Sequence, residues 1–265
     1  VQHVVHVLET LCKEDTAMCT TAMHGTQSMA RLCKVVHDHH SQHYDIASGL
    51  CSILAVFLAR CPVVHADAWA AIRVAHRAIK HHVRDEYIAG FACIVLRLAL
   101  QGLSEGGDAV PPPSSGDTKA GLRTSVTTTV RALRTVSTKH GKHVHVQYLA
   151  CRALLAVVLL PVARHCRPTT AVVRCAVDAI THHHTDRALC RTACMLLGRA
   201  VPRMVPHHWA PIAVDHVRAV AVVLQHYPQD AEIRPAALAA LAAALPFHAH
   251  EHTQFLLRAG MQEGG

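Results

Sequence analysis

The stretch Val146–Val157 reads VQYLACRALLAV and decides the fold, because related segments recur five more times along the chain. Every one of these segments has a leucine three residues after its centre. The leucines are Leu11, Leu54, Leu96, Leu154, Leu197 and Leu241, following centres at Leu8, Cys51, Cys93, Cys151, Cys194 and Leu238. Successive leucines are 43, 42, 58, 43 and 44 residues apart. An internal repeat of this length is typical of stacked helical modules.

Each repeat contains two segments with helical periodicity. Apolar residues in the quoted stretch fall at i, i+3, i+4 and i+7, which predicts an amphipathic helix that we call the inner helix. A second segment in each repeat predicts an outer helix. The outer helices are predicted at Met29–Asp38, Ala68–Lys80, Val126–Ser137, Ala171–Thr181 and Ile212–Gln225. The turns before the inner helices carry Asp45, Asp85, Asp186 and Asp230, which suit helix N-caps.

The one long interval contains an insertion. It includes Gly106-Gly107 and the run from Pro111 to Gly116, and it has little apolar surface to bury. We predict a disordered loop over about 101–119. The rest of 1–265 is predicted to be a single repeat array, which we expect to be a fragment because it opens and closes in the middle of a repeat.

The sequence of the repeat resembles that of a known repeat family. Val-Gln-x-x-Ala-Cys-x-Ala-Leu at 146–154, with an outer helix ending in His and a turn carrying Asp, resembles an armadillo repeat. It is similar to the armadillo repeats in the N-terminal regions of leucine-rich-repeat kinases. HEAT repeats are a near neighbour and lack a short extra helix, for which 119–121 and 258–260 are the candidates. We therefore expect an all-α, right-handed α-solenoid of about six armadillo/HEAT-like repeats.

The resemblance implies a binding groove along the inner helices. Armadillo proteins that hold extended peptides use a Trp and, four residues later, an Asn. The matching pairs here are Glu9 and Lys13, Ser52 and Val56, Ile94 and Leu98, Arg152 and Ala156, Met195 and Arg199, and Ala239 and Ala243. None is Trp or Asn, so the expected contact surface is instead a mixed apolar and basic groove centred on Arg152, Met195 and Arg199. Trp69 and Trp209 are interpreted as packing anchors.

Composition points to a core of small side chains, since hydrophobic residues make up 51% of the chain and aromatic residues only 4%. Four of the eleven cysteines share a repeat position with leucine, which predicts small core residues with reduced thiols in an intracellular, most simply cytoplasmic, protein. The apolar stretch 150–163 is shorter than a membrane span needs, and we predict no such span.

Histidine is abundant, with 25 residues. From the second repeat on, the position fourteen residues before the repeat leucine holds His40, His82, His140, His183 and then Tyr227. We call these positions the histidine ladder. Rungs on stacked helices are too far apart to share a zinc ion, so we interpret the ladder as capping the carbonyls of helix C-termini. The clusters 182–184 and His248, His250 and His252 stay open as weak metal candidates, and titration of the ladder between pH 5 and 7 is a further hypothesis. No cofactor is expected.

Basic side chains cluster in the third outer helix. Arg123, Arg131, Arg134, Lys139 and Lys142 occur in a segment without an acid from 118 to 145. This basic face suits an acidic protein, RNA phosphates or a membrane surface, and it is also compatible with plain solvation.

Catalytic motifs are missing from the sequence. There is no Walker loop, nucleophile elbow or His-Glu-x-x-His, and we predict a non-enzymatic protein. The leading hypothesis is a protein-binding scaffold that forms part of a larger protein or assembly. The alternatives are a basic α-solenoid that binds RNA and a histidine-based metal or pH sensor.

Overall fold

The computed structural model describes residues 42–60, 65–105, 118–160 and 170–247, together with Cys33. Its longer helices are α1 (Tyr44–Arg60), α2 (His65–His82), α3 (Glu86–Glu105), α4 (Thr118–Lys139), α5 (Val144–Leu159), α6 (Thr170–His183) and α7 (Arg187–Ala200). A short helix α8 (Pro206–Trp209) precedes α9 (Ala213–His226) and α10 (Ile233–Ala242). These ranges contain no strand, which confirms the all-α class.

The helix boundaries follow the repeat pattern. The outer helices α2, α4, α6 and α9 contain or closely match the predicted segments, and the inner helices α1, α3, α5, α7 and α10 carry the quoted repeat. The predicted outer helix Met29–Asp38 and the first inner helix lie outside the described residues, apart from Cys33.

The loop predicted at 101–119 is shorter in the structure, because residues at both of its ends are helical. Helix α3 continues to Glu105 because Leu103 is buried and Arg97 donates a hydrogen bond to Gln101 one turn later. Helix α4 already begins at Thr118, so the candidate short helix at 119–121 is part of α4. Residues 106–117 lie outside the described part of the chain.

Aspartates cap three of the inner helices as predicted. The Asp85 carboxylate accepts from Ile88 N at 2.8 Å, and Asp186 accepts from Leu189 N at 2.7 Å. Asp230 accepts from both Glu232 N and Ile233 N at 2.9 Å. The prediction for Asp45 was wrong, because α1 begins one residue earlier and Asp45 lies in its first turn.

Contacts divide the chain into two units, 1–166 and 167–265. In unit 1, the inner helices α1, α3 and α5 pack side by side, and the outer helices α2 and α4 form a second layer against them. Unit 2 is built in the same way, since α7 packs on α10 and the outer helices α6 and α9 pack on them and on each other. The single-array organisation stays a prediction.

Four of the five repeat leucines in the described residues lie in the core, whereas Leu241 in the last repeat is only half-buried. Leu54, Leu96, Leu154 and Leu197 are all 0% exposed. The cysteines at the repeat centre, Cys51, Cys93, Cys151 and Cys194, are buried thiols, as their interchange with leucine predicted. The prediction does not hold for Leu238 at the same position of the last repeat, which is 48% exposed. Burial raises the pKa of Cys51, Cys93 and Cys194 to about 12, so these thiols stay protonated and act as small apolar side chains.

Unit 2 contains a short helix that the sequence pattern did not predict. Helix α8 and two flanking 3-10 turns, Val201–Arg203 and Ala210–Ile212, connect α7 to α9. Trp209 ends α8 and is 0% exposed, which confirms it as a packing anchor. Trp69 near the start of α2 is only half-buried.

Helix α3 has the length and composition of a membrane-spanning helix, a feature that we did not predict from the sequence. Glu86–Ser104 is long and apolar enough to cross a membrane by length and composition alone. Most of its residues are buried in the structure, where α3 is packed by α1, α2 and α5. A core helix passes the same test, so this observation is weak evidence for a span.

Candidate binding surfaces

Two rungs of the histidine ladder bond to a carbonyl in the preceding repeat. In unit 1, Nε2 of the buried His140 lies 2.7 Å from the carbonyl oxygen of Val83, just after α2 ends. In unit 2, the Tyr227 hydroxyl donates to the carbonyl oxygen of Thr185 at 2.6 Å. These two ladder side chains bond to carbonyls as predicted, but the acceptors Val83 and Thr185 lie in the turns after α2 and α6 and not in the helix C-termini. Each bond ties one repeat to the next.

Metal candidates do not converge in the described residues, where no group of three His, Cys, Asp or Glu side chains is placed to hold an ion. The rings of His182 and His183 have centroids 6.3 Å apart, and His182 Nδ1 lies 2.7 Å from the carbonyl oxygen of Asp178. The cluster of His248, His250 and His252 lies outside the described residues.

A pH-sensitive contact joins the outer helices of unit 1, away from the ladder. His76 Nε2 lies 2.9 Å from the Thr129 hydroxyl, and burial lowers the pKa of His76 to about 4. The unfolded chain takes up this proton below pH about 6.5, whereas the folded chain resists it until about 4. The stabilising contribution of neutral His76 is therefore complete above pH 6.5 and is lost as the pH falls towards 4.

We expect His76→Gln, which has no imidazole to protonate, to reduce this acid sensitivity. From pH 7 to 4.5 the unfolding free energy of the wild type should fall by about 2 kcal/mol more than that of the variant. Urea unfolding at both pH values measures the difference. Parallel losses in the two proteins would show that His76 does not contribute.

The predicted groove residues have different surroundings. Ser52 is 3% exposed and lies inside unit 1, so it offers no open surface. Ile94 and Arg152 are half-buried on α3 and α5 of the same unit. Met195 and Arg199 are both exposed on α7 of unit 2. Glu9 and Lys13 lie outside the described residues.

Arg152 is part of a cluster on the inner helices of unit 1. Its Nη1 donates to the Tyr148 hydroxyl at 3.2 Å, and its guanidinium carbon lies 5.5 Å from the centroid of the Tyr148 ring. Arg97 on the neighbouring α3 donates from Nη1 to Gln101 Oε1 at 2.8 Å. Each guanidinium is thus held by a residue four positions away on its own helix. We call Arg97, Tyr148 and Arg152 the arginine pair site.

The electrostatics of the arginine pair site favour an added anion. Within the described residues, no carboxylate lies within ion-pair distance of Arg97 or Arg152. Partial burial, and then the charge of Arg152, lowers the pKa of Arg97. Arg97 Nε is also buried and makes no hydrogen bond. A carboxylate or phosphate oxygen would relieve the repulsion and supply acceptors.

Exposed apolar side chains occur on the same two helices as the arginine pair site. Tyr87 on α3 is 53% exposed and packs edge-on against Phe91, with ring centroids 4.8 Å apart. Leu159, at the end of α5, is 54% exposed. Helices α3 and α5 therefore combine two arginines with exposed aromatic and aliphatic area, a composition typical of protein interfaces.

Two of the inner-helix arginines of unit 2, Arg187 and Arg191, are paired with carboxylates, whereas the exposed Arg199 forms no ion pair within the described residues. Arg187 forms a two-point contact with Asp230, at 2.6 Å from Nε to Oδ2 and 3.3 Å from Nη2 to Oδ1. Glu232 lies 3.3 Å from Arg187 and 3.5 Å from Arg191. The Arg187 hydrogen bond, aided by two backbone N–H groups, holds the pKa of Asp230 well below its usual range. This network links α7 to the turn before α10, and it pairs both arginines with carboxylates.

The basic face predicted on α4 is exposed. Arg131, Arg134, Lys139 and Lys142 are all exposed, and none forms an ion pair within the described residues. Arg123 lies on α4, but its side chain is outside the description. The structure also places α2 beside α4, a neighbour that the sequence pattern of α4 alone did not indicate.

The chain matches no protein-family model, no curated protein sequence and no solved structure.

Proposed function

We propose that this chain is an armadillo-type repeat segment that binds a protein partner through the inner helices of unit 1. The partner segment carries acidic side chains next to apolar ones. No catalytic role is proposed. The binding surface extends from the arginine pair site to the exposed Tyr87 and Leu159.

The helical arrangement supports the armadillo part of the proposal. Alternating inner and outer helices form two layers in each unit, as expected for an α-solenoid. The short helix α8 before the outer helix α9 agrees with the extra helix by which armadillo repeats differ from HEAT repeats. Rows of buried leucine and cysteine at equivalent repeat positions agree with stacked modules.

One observation carries the binding part of the proposal. Arg97 and Arg152 are half-buried on neighbouring helices, their charges repel each other and neither is paired with a carboxylate within the described residues, whereas Arg187 and Arg191 in unit 2 are paired. Partial burial strengthens an ion pair relative to open solvent, and a planar guanidinium binds a carboxylate in two-point geometry. The exposed Tyr87 and Leu159 on the same two helices add apolar contact area and favour a protein over a small anion.

A quantitative affinity purification tests the proposal. The full chain, wild type or Arg97→Glu with Arg152→Glu, is immobilised and exposed to a nuclease-treated cell extract, and retained proteins are compared by mass spectrometry. We expect at least one retained acidic protein to be lost about tenfold or more with the double variant, because two attractive contacts become repulsive.

The matched control is Arg131→Glu with Arg134→Glu, which changes the net charge equally on the outer face of α4. We expect this control to retain the same partner as the wild type. Equal retention by all three proteins, or loss in the outer-face control alone, would contradict binding at the arginine pair site. Circular dichroism of each variant verifies that the helices are intact.

A further inference from the structure

We infer that the outer helices of unit 1 form a second binding surface, for the phosphodiester backbone of a double-stranded nucleic acid. The surface consists of eight exposed cations on α2, α4 and the turns after them. They are Arg73, Arg77, Lys80, Arg84, Arg131, Arg134, Lys139 and Lys142. We call this set the outer basic surface.

The repeat brings the two halves of this surface together. Arg73 and Arg131 both stand nine residues before a ladder histidine, and Arg84 and Lys142 both stand two residues after one. Helices α2 and α4 pack against each other, with the bond between His76 and Thr129 at their interface. Equivalent positions on adjacent helices lie side by side, so the cations form two neighbouring rows rather than a single line.

Acidic side chains do not neutralise these rows. None of the eight cations forms an ion pair within the described residues. Between Asp67 and Asp85 the sequence of α2 has no acid, and α4 has none at all. Exposed His81, which lies among them, has a pKa lowered by partial desolvation and by the charges of Lys80, His82 and Arg77.

In unit 2, the arginines at the same repeat position are compensated by nearby carboxylates. Arg174 and Arg218 also stand nine residues before the ladder position. Arg218 lies 3.8 Å from Asp215, and Asp178 interacts electrostatically with Arg174. Two cations and two carboxylates balance there. The uncompensated charge is therefore a property of unit 1 and not of the repeat in general.

The chemistry of the surface favours a phosphate backbone over the other polyanions. None of the exposed large hydrophobic side chains lies on α2 or α4, so within the described residues nothing there would insert into a membrane or stack on unpaired bases. Five of the eight cations are arginines, which bind phosphate in two-point geometry. Two rows also suit a duplex, with its two backbones, better than a single acidic peptide.

The number of cations along the outer basic surface is similar to the number of phosphates that a duplex carries over the same length. The last ten residues of α2, from Arg73 to His82, span about 14 Å along the helix. A nucleic-acid duplex carries about eight phosphate charges over that length, close to the number of cations available. Sequence-specific reading is not expected, because backbone contacts position a protein without selecting bases.

Fluorescence anisotropy with the full chain tests this inference, using labelled RNA and DNA duplexes of about 20 base pairs at several salt concentrations. We expect binding to both or to one of them that weakens steeply with salt. Arg73→Gln with Arg131→Gln should weaken binding about tenfold and flatten the salt slope by about two. Arg174→Gln with Arg218→Gln removes the same charge from unit 2 and should change the affinity less than about twofold.

The opposite results overturn the inference. These are the absence of binding to either duplex at low salt, or equal weakening by the two variant pairs, which would indicate net charge rather than this surface. Tight binding to phosphatidylserine vesicles or to polyglutamate, with no binding to duplexes, would assign the surface to another partner class. Unfolding midpoints within a degree or two of the wild type verify that the exposed substitutions preserve the fold.

Discussion

Replacing Leu154 with alanine is expected to lower the free energy of unfolding by about 3 kcal/mol. Leu154 is 0% exposed, and its helix α5 packs on α3 and on α4. Truncation removes buried apolar atoms and leaves a cavity that the two helical layers fill only in part. The loss is large because a repeat leucine belongs to the core between both layers.

Urea denaturation followed by circular dichroism measures this change. The matched control is Leu159→Ala on the same helix, where the side chain is 54% exposed and the expected loss is below about 1 kcal/mol. Similar losses in the two variants would show that Leu154 is no more buried than Leu159. That result would contradict the alignment of the repeat leucines with the core.

Replacing Trp209 with alanine is expected to cost about 4 kcal/mol, a larger effect than that of Leu154→Ala. Trp209 is 0% exposed at the end of α8. Its ring lies 4.9 Å from that of His216 in an edge-on arrangement and 5.5 Å from that of Phe247. The side chain therefore joins the connection between α7 and α9 to the core of unit 2.

Trp209→Phe separates packing from hydrogen bonding. Trp209 Nε1 is buried and makes no hydrogen bond, so phenylalanine removes volume and no polar contact. We expect a loss of about 1.5 kcal/mol, well below that of alanine, from thermal or urea unfolding. If phenylalanine were as damaging as alanine, the indole N–H would have a partner and the packing explanation would be wrong.

The helical pairs were predictable because their signals are local and repeated. Apolar spacing at i, i+3 and i+4 places Leu96, Leu154 and Leu197 on buried faces. The interchange of cysteine with leucine identifies core positions in the described repeats except the last, where Leu238 is 48% exposed. Aspartates eleven residues before a repeat leucine cap their helices. Asp45 is only nine residues before Leu54, and this shorter offset explains why it lies inside α1.

Contacts between helices were less predictable. Helix α8 has only four residues, too few to show periodicity, and its main sequence signal is Pro206 at the first helical position. Arg97 was not predicted because its repeat position holds Cys, Ala, Leu or Gly elsewhere, and its proximity to Arg152 arises from the packing of α3 on α5. The outer helices do carry a usable sequence signal, since aligning the repeats places Arg73, Arg131, Arg174 and Arg218 at one equivalent position.

The two proposals assign different partners to opposite layers of unit 1. The inner layer offers two half-buried arginines on helices that also carry exposed apolar side chains, which suits a protein segment. The outer layer offers many exposed cations without apolar neighbours, which suits a phosphate polymer. The variants expected to lose binding share no residue, since Arg97 and Arg152 are replaced for the first proposal and Arg73 and Arg131 for the second, so either proposal can fail without affecting the other.

Hydrogen exchange followed by mass spectrometry tests the central claim most directly, namely that equivalent positions of the repeat form equivalent buried helices. We predict that the slowest amides cluster around Leu96, Leu154 and Leu197, in α3, α5 and α7, and that the turns preceding these helices exchange quickly. Fast exchange around any one of the three leucines, or slow amides whose positions do not follow the repeat, would contradict the account.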